Sequence, residues 1–309
     1  MPMTLRIATR ESPLALWQTH HVRDRLRRAH PGLEIECLPM STEGDRRLAH
    51  SLSRIGGKGL FVKELEQALL DGRADLAVHS MKDVPAIAPD GLVIDTLLAG
   101  EDPRDAFVSN TCGNLDSLPP GARLGTASLR RQAQALALRP DLELCELRGN
   151  LGTRLRRLDD GDFDAILLAC AGLRRLDLGD RIAEALPAAD FLPAPGQGVI
   201  GIQRRADDDR AREWLMPLHH ADTAVRLAAE RALSKRLGGA CHVPVAGHAR
   251  VLGDRLHLEA LVASPDGRRV IRDRCEAPTI EAQAAGIALA ERLLDAGARE
   301  VLAELGIEA

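Results

Sequence analysis

Cys241 lies in the loop Leu237-Gly238-Gly239-Ala240-Cys241-His242-Val243-Pro244. Its glycines remove side chains beside the sulfur and allow unusual backbone angles, so a bulky adduct can approach, and Pro244 ends the loop by fixing its own φ. A cysteine alone is more often a small buried hydrophobe. The basic clusters elsewhere in the chain reverse that preference and point to a covalent anchor facing an anion-binding cleft.

Four predicted strands are each followed by cations, most of them with hydroxyls alongside. Residues 5–8 lead to Arg10 and Ser12, and residues 76–79 to Ser80, Lys82 and Asp83. Residues 123–125 lead to Thr126, Ser128, Arg130 and Arg131, and residues 142–147 to Arg148 and Arg154. In open α/β sheets the ligand crevice lies beyond the carboxyl ends of the strands. Ser12 and Ser128 suit helix N-caps, and a helix start with free N–H groups attracts carboxylate or phosphate. Capping alone explains one serine; arginine forks after several strands match carboxylate groups. A lone Asp83 would more often be a cap or an arginine partner.

The elements that must position these residues repeat weakly. Residues 70–78 and 159–167 each read as a helix ending at Asp-Gly and then an apolar strand, and residues 7–12 echo 124–128. Two α/β units with parallel sheets are expected. After about Ala221 the pattern changes. A helix over 223–237 precedes strands near 243–251, 256–263 and 270–275, with turns at Gly253-Asp254 and at 264–267, an antiparallel meander. A helical pattern over 280–294, continuing in register near 301–305, can cover one face. The segment Leu192-Pro193-Ala194-Pro195-Gly196-Gln197-Gly198 reads as a crossover or hinge. Residues 41–57 lack apolar periodicity, as a mobile lid or a plain surface loop would, and Phe61, Leu65 and Leu69 lie at core-like helical spacing.

Composition narrows the function. The 309 residues carry a net charge of −4 with 2% aromatics and no Tyr, which argues against nucleic-acid binding and makes any positive field local. Six scattered cysteines show neither metal-ligand spacing nor a disulfide framework. No run of about 18 apolar residues suggests a membrane span, and residues 1–7 show no charged-then-apolar leader, so a cytoplasmic protein without membrane or metal is expected.

Several motifs in register carry a more specific signal: residues 6–18, Gly56-Gly57-Lys58-Gly59-Leu60-Phe61, residues 79–85, Glu101-Asp102-Pro103-Arg104-Asp105-Ala106-Phe107, residues 125–131, Arg148-Gly149-Asn150-Leu151-Gly152-Thr153-Arg154, residues 195–198 and the Cys241 loop. In this order, over most of the chain, they resemble the porphobilinogen deaminase (hydroxymethylbilane synthase) family. Ala240 and His242 stand where the family often has Gly and Gln, and Glu43 where it is often basic.

The resemblance implies a carbon–nitrogen-cleaving, carbon–carbon-forming transferase of tetrapyrrole biosynthesis. It would join four porphobilinogen molecules into linear hydroxymethylbilane with loss of ammonia, and pass the product to uroporphyrinogen III synthase. It implies a dipyrromethane cofactor in thioether linkage to Cys241 and a catalytic Asp83. By the same resemblance Ser80, Lys82, Asp83, Thr126, Ser128, Arg130, Arg131, Gly149 and Asn150 bind the cofactor, and Arg10, Ser12, Gln18, Lys58, Arg148, Arg154 and Gln197 bind substrate. The implied fold is α/β with α+β: two periplasmic-binding-protein-like α/β domains, 1–99 with 199–217 (lid loop 41–57) and 104–193, plus a small C-terminal α+β domain over 221–309 with a three-stranded antiparallel sheet. Chain crossings are expected near 99–103 and 193–198.

Two other classes remain open from the residues. A non-catalytic two-lobed solute binder would explain the repeat and the arginines but not the Gly-Gly-Ala-Cys loop. A hydrolase with a Cys241 nucleophile would need His242 or His79 as base, and adjacent side chains rarely make that pair.

Overall fold

The computed structural model describes residues 4–46, 62–238, 243–307 and 309. The chain divides into two compact units, 1–101 with 199–224 and 102–198 with 225–309.

The first unit is a five-stranded sheet in the order β2 (Glu34–Met40), β1 (Thr4–Arg10), β3 (Leu76–Ser80), β10 (Ile200–Arg205), β4 (Leu92–Leu97). Its helices are α1 (Pro13–Ala29), α2 (Glu43–Arg46), α3 (Lys63–Leu70) and α7 (Asp209–Leu215). Successive side chains of a strand point to opposite faces, so each strand serves two cores. Ile7 and Leu76 pack with Val22 and Leu26, whereas Ala8 and Ala77 pack with Leu65 and Leu69. Leu65 and Leu69 are thus core residues, as their spacing predicts.

The second unit repeats the plan with β7 (Glu143–Cys145), β6 (Arg123–Gly125), β8 (Ala165–Ala169), β5 (Asp105–Val108) and β9 (Glu184–Ala185). Here α4 (Leu129–Leu138), α5 (Leu151–Asp159) and α6 (Cys170–Arg175) accompany the sheet. Phe107, Leu124 and Leu167 fill one core, and Val108, Ile166 and Leu168 the other.

The sheets are mixed rather than parallel, which corrects the expectation from sequence. β1 runs parallel to β2 and β3, but β10 is antiparallel to β3 and β4. Likewise β6 is parallel to β7 and β8, while β5 is antiparallel to β8 and β9. A buried apolar strand reads the same in either direction, and β5 and β10 each follow directly on a boundary between the units, with no crossover helix before them.

The C-terminal part comprises α8 (Ala221–Arg236), the antiparallel strands β11 (Val245–Leu252), β12 (Arg255–Ala263) and β13 (Val270–Pro278), and α9 (Ala282–Leu293) with α10 (Arg299–Glu304). One sheet face packs Ala249, Leu258 and Ala260 against Ala285, Leu289 and Leu293. Residues of the other face, Ala246, Leu261 and Ala263, join Ala133 of α4 and Leu192 in a separate buried cluster. The two helical stretches expected near 280–294 and 301–305 correspond to α9 and α10, and Gly297, at φ 107°, separates them. No helix among the described residues is long and apolar enough to cross a membrane.

Candidate active site

In the first unit the ends of β1 and β3 supply one wall of a pocket. Ser12 caps α1, its Oγ accepting from the Ala15 N–H at 3.4 Å, and Pro13 starts the helix without spending a donor. Gln18, one turn on and 2% exposed, donates from Nε2 to Ser80 Oγ at 2.8 Å. Beyond Ser80 the chain makes one short 3-10 turn, Met81–Asp83, tied down by the Met81 N–H on Val199 O at 3.0 Å. The turn sits low because β10 has a glycine opposite: a Cβ on Gly201 would lie 2.1 Å from Met81 Sδ. Arg10, Ser12, Gln18, His79, Ser80 and Asp83 all line this pocket. Lys82 is half-buried in the same turn.

His79 is fixed from behind. Its Nε2 lies 2.9 Å from Gln203 Oε1, and Gln203 Nε2 donates to Glu66 Oε1 at 3.1 Å. Because the Gln203 amide nitrogen serves Glu66, its oxygen must accept, so Nε2 of His79 carries the proton. Burial pushes the imidazole down to about 4, with the nearby Arg10 charge adding to the effect against the Gln203 bond. A neutral ring is a poor general base at that pKa, and burial raises Glu66 in turn.

In the second unit Ser128 caps α4, accepting from the Arg131 N–H at 3.5 Å, and the Thr126 hydroxyl accepts from the Ser128 N–H at 3.2 Å. The side chains of Arg130 and Arg131 turn inward to Asp105, with contacts of 2.7 Å each. Gln197 Nε2 donates to the same carboxylate at 3.1 Å and to Pro103 O at 2.6 Å. Despite complete burial, the two guanidinium groups hold Asp105 well below the usual carboxylate range.

The loop after β7 carries Arg148, which donates to Glu146 Oε1 at 2.7 Å from Nε. Gly149 follows at φ 109°, where a Cβ would meet Thr153 Cγ2 at 2.9 Å. Asn150 then caps α5, its Oδ1 accepting from the Thr153 N–H at 2.9 Å, and Arg154 Nε donates to Gly149 O at 2.8 Å. The sequence places Asn150 beside the arginines; its cap geometry shows how the loop holds them.

Cys241 and Lys58 lie outside the described residues, as do 47–57 of the expected lid and Phe61. Of the expected lid residues, 43–46 form α2. In the described ends of the Cys241 loop, Gly238 takes φ 98° and Val243 is buried. Two buried charged residues receive no role from the sequence: Asp105, seen only within a motif, and Arg175. Arg175 is 8% exposed and donates to Gly198 O at 2.7 Å. Sequence gives them little signal: Asp105 follows Glu101, Asp102 and Arg104 at the start of β5, and Arg175 follows Arg174 at the end of α6, so each reads as one more charge in a charged stretch.

Solved structures that align with the chain include a periplasmic substrate-binding protein of an ABC transporter from Coxiella burnetii (16% identity, 71% of this chain and 94% of that chain, TM-score 0.43). A nutrient-binding protein from Burkholderia cenocepacia bound to methionine aligns at 14% identity over 68% of this chain and 89% of that chain, TM-score 0.42. Two family models match in sequence: "Porphobilinogen deaminase, dipyromethane cofactor binding domain" over residues 5–213 and "Porphobilinogen deaminase, C-terminal domain" over 224–295. With strand-end cations in both α/β sheets, a buried arginine pair and both models in sequence order over nearly the whole length, the chain belongs to the porphobilinogen deaminase family.

Proposed function

We propose that Asp83 is the catalytic carboxylate of the family's reaction, with Arg10, Ser12, Gln18, Lys58, Arg148, Arg154 and Gln197 as substrate ligands. That reaction condenses four porphobilinogen molecules into linear hydroxymethylbilane with release of ammonia, and the chain is a transferase of this kind with a dipyrromethane cofactor. One observation carries the reading: Asp83 shares a pocket wall with Arg10, Ser12, Gln18 and Ser80.

Porphobilinogen brings two carboxylates and an aminomethyl arm. Arg10 and the Ser12 hydroxyl suit a carboxylate, and the acidic Asp83 suits the cationic arm. As the carbon–nitrogen bond breaks, its electrons leave with ammonia and the pyrrole becomes a delocalised cation. Asp83 stabilises that charge by accepting from the pyrrole N–H, and takes up the proton lost when the new carbon–carbon bond forms. Gln18 and Ser80, bonded to each other, orient the turn that carries Asp83.

The second unit suits the cofactor. Arg130 and Arg131, with one carboxylate between them, keep a net positive charge beside Thr126 and Ser128, which fits a group bearing several carboxylates. We assign Ser80, Lys82, Asp83, Thr126, Ser128, Arg130, Arg131, Gly149 and Asn150 to it, and Cys241 as its thioether anchor. When bound, the dipyrromethane supplies the terminal pyrrole carbon to which the first substrate is joined. The division into domains 1–99 with 199–217, 104–193 and 221–309, a cytoplasmic location and delivery of product to uroporphyrinogen III synthase complete the proposal.

Asp83→Asn keeps shape and removes charge, so kcat should fall by about two or more orders of magnitude with a smaller change in KM. Near-normal turnover in a steady-state assay would make Asp83 a structural residue.

A further inference from the structure

Asp105 is 0% exposed, and its carboxylate gathers three side chains of the second unit. Oδ2 accepts from Arg130 Nη1 at 2.7 Å; Oδ1 accepts from Arg130 Nη2 at 3.1 Å, Arg131 Nε at 2.9 Å and Gln197 Nε2 at 3.1 Å. Two guanidinium groups share one carboxylate, so the cluster keeps a surplus positive charge while the arginine side chains are only 5% and 7% exposed. Surplus buried charge costs more than an ion pair returns, and a cluster kept for stability alone would be neutral. An anionic ligand removes that cost.

The cluster is also pinned to backbone on every side. Arg130 Nη1 donates to Leu192 O at 2.6 Å, and Arg131 Nη1 to Leu167 O at 2.8 Å. Asp105 itself pairs with Ala169 in the sheet, and its carbonyl accepts from the Leu186 N–H at 2.9 Å. Asp105 can therefore set where both guanidinium planes point, leaving little rearrangement when a carboxylate arrives.

The geometry points to Asp105 as a positioning residue that fixes the forks of Arg130 and Arg131 for the carboxylates of the dipyrromethane, and so governs how fast the cofactor is installed. This rests on the reading that the arginine pair binds the cofactor. Asp105→Asn leaves the pair more positive but loosely aimed. Orientation then outweighs net charge.

The test follows adduct mass over time after apo protein is mixed with porphobilinogen, at a temperature well below melting. Asp105→Asn should load about tenfold more slowly than the parent. Arg131→Lys, which keeps charge and loses the fork, should also load slowly, and adding Asp105→Asn to it should slow loading no further, a non-additivity that a merely structural role would not give. Parent-like or faster loading by Asp105→Asn, while Arg131→Leu fails to load, overturns the role of Asp105 alone. Normal loading by Arg131→Leu overturns the reading of the pair beneath it. If the Asn variant does not fold, Asp105→Glu, with its charge displaced by one methylene, takes its place: slowed loading supports the proposal and parent-like loading overturns it. Failure of both to fold also overturns it, since Asp105 would then be a support of the fold.

Discussion

Arg6 and Asp75 hold each other by backbone and side chain at once. The Arg6 N–H, Nε and Nη2 donate to the carboxylate at 2.9, 3.2 and 3.1 Å, and the Asp75 N–H returns a bond to Arg6 O at 2.8 Å. Arg123 and Asp164 reproduce this in the second unit: the Arg123 N–H donates to Asp164 Oδ2 at 2.6 Å and the Asp164 N–H to Arg123 O at 2.9 Å. Each arginine also reaches the glycine carbonyl of the Asp-Gly turn, Gly72 or Gly161. The latch closes β1 onto the start of β3 in one sheet and β6 onto the start of β8 in the other. Asp75→Ala should cost about 1–2 kcal/mol in denaturant unfolding and Asp164→Ala less, because the Asp164 side chain is 40% exposed against 19% for Asp75. Equal or negligible losses would show that the latch is ornamental.

That duplication was legible in sequence from the Asp-Gly echoes, and so were Ser12 and Ser128 as caps and the C-terminal meander. Strand direction was not, since apolar residues in β5 and β10 bury equally well either way. Asp105 was visible only as part of a motif, because nothing local tells a carboxylate that its partners lie 25 and 26 residues on. The two C-terminal helical stretches were legible as well, and the break at Gly297 falls between them. The candidate residues for carboxylate binding were readable from their place after strands. The inward turn of Arg130 and Arg131 depended on packing that no periodicity reports.

His79 gives a pH signature. Its ring titrates near 6.5 in the unfolded chain and near 4 when folded, so the unfolded state binds the extra proton between those values and stability falls as pH is lowered through that window. Above pH 6.5 the contribution is flat; by pH 4 it amounts to about 3 kcal/mol. His79→Phe should lack this part of the slope when denaturant unfolding is followed from pH 7 to 4. An unchanged slope would assign the acid sensitivity to other groups.

Gly149 and Gly152 form a matched pair. Gly149→Ala forces an L side chain to φ 109° against Thr153, at about 1–2 kcal/mol, and moves the turn between Arg148 and Asn150. Gly152→Ala lies inside α5 with its new Cβ at an ordinary 3.6 Å from Asn150 Oδ1, and helix propensity favours it. Thermal melting should drop for the first variant and hold or rise for the second. The reverse order would contradict the loop geometry.

The arginines should separate into two groups. Arg131→Leu removes a bidentate partner from the cluster assigned to the cofactor, so the purified protein should be apo. Arg148→Leu, in the loop after β7, should keep the cofactor and stall in elongation, with species one pyrrole unit apart accumulating after brief exposure to porphobilinogen. Identical mass patterns for the two variants would mean that the arginines act as one undifferentiated field.

Intact mass of the purified protein, beside Cys241→Ser, tests the central claim most directly. The parent should carry a built-in adduct of two pyrrole units, and the serine variant should fold, lack the adduct and turn over negligibly. A parent at the bare polypeptide mass with full activity, or a full adduct on the serine variant, would contradict the assignment of Cys241 as the anchor.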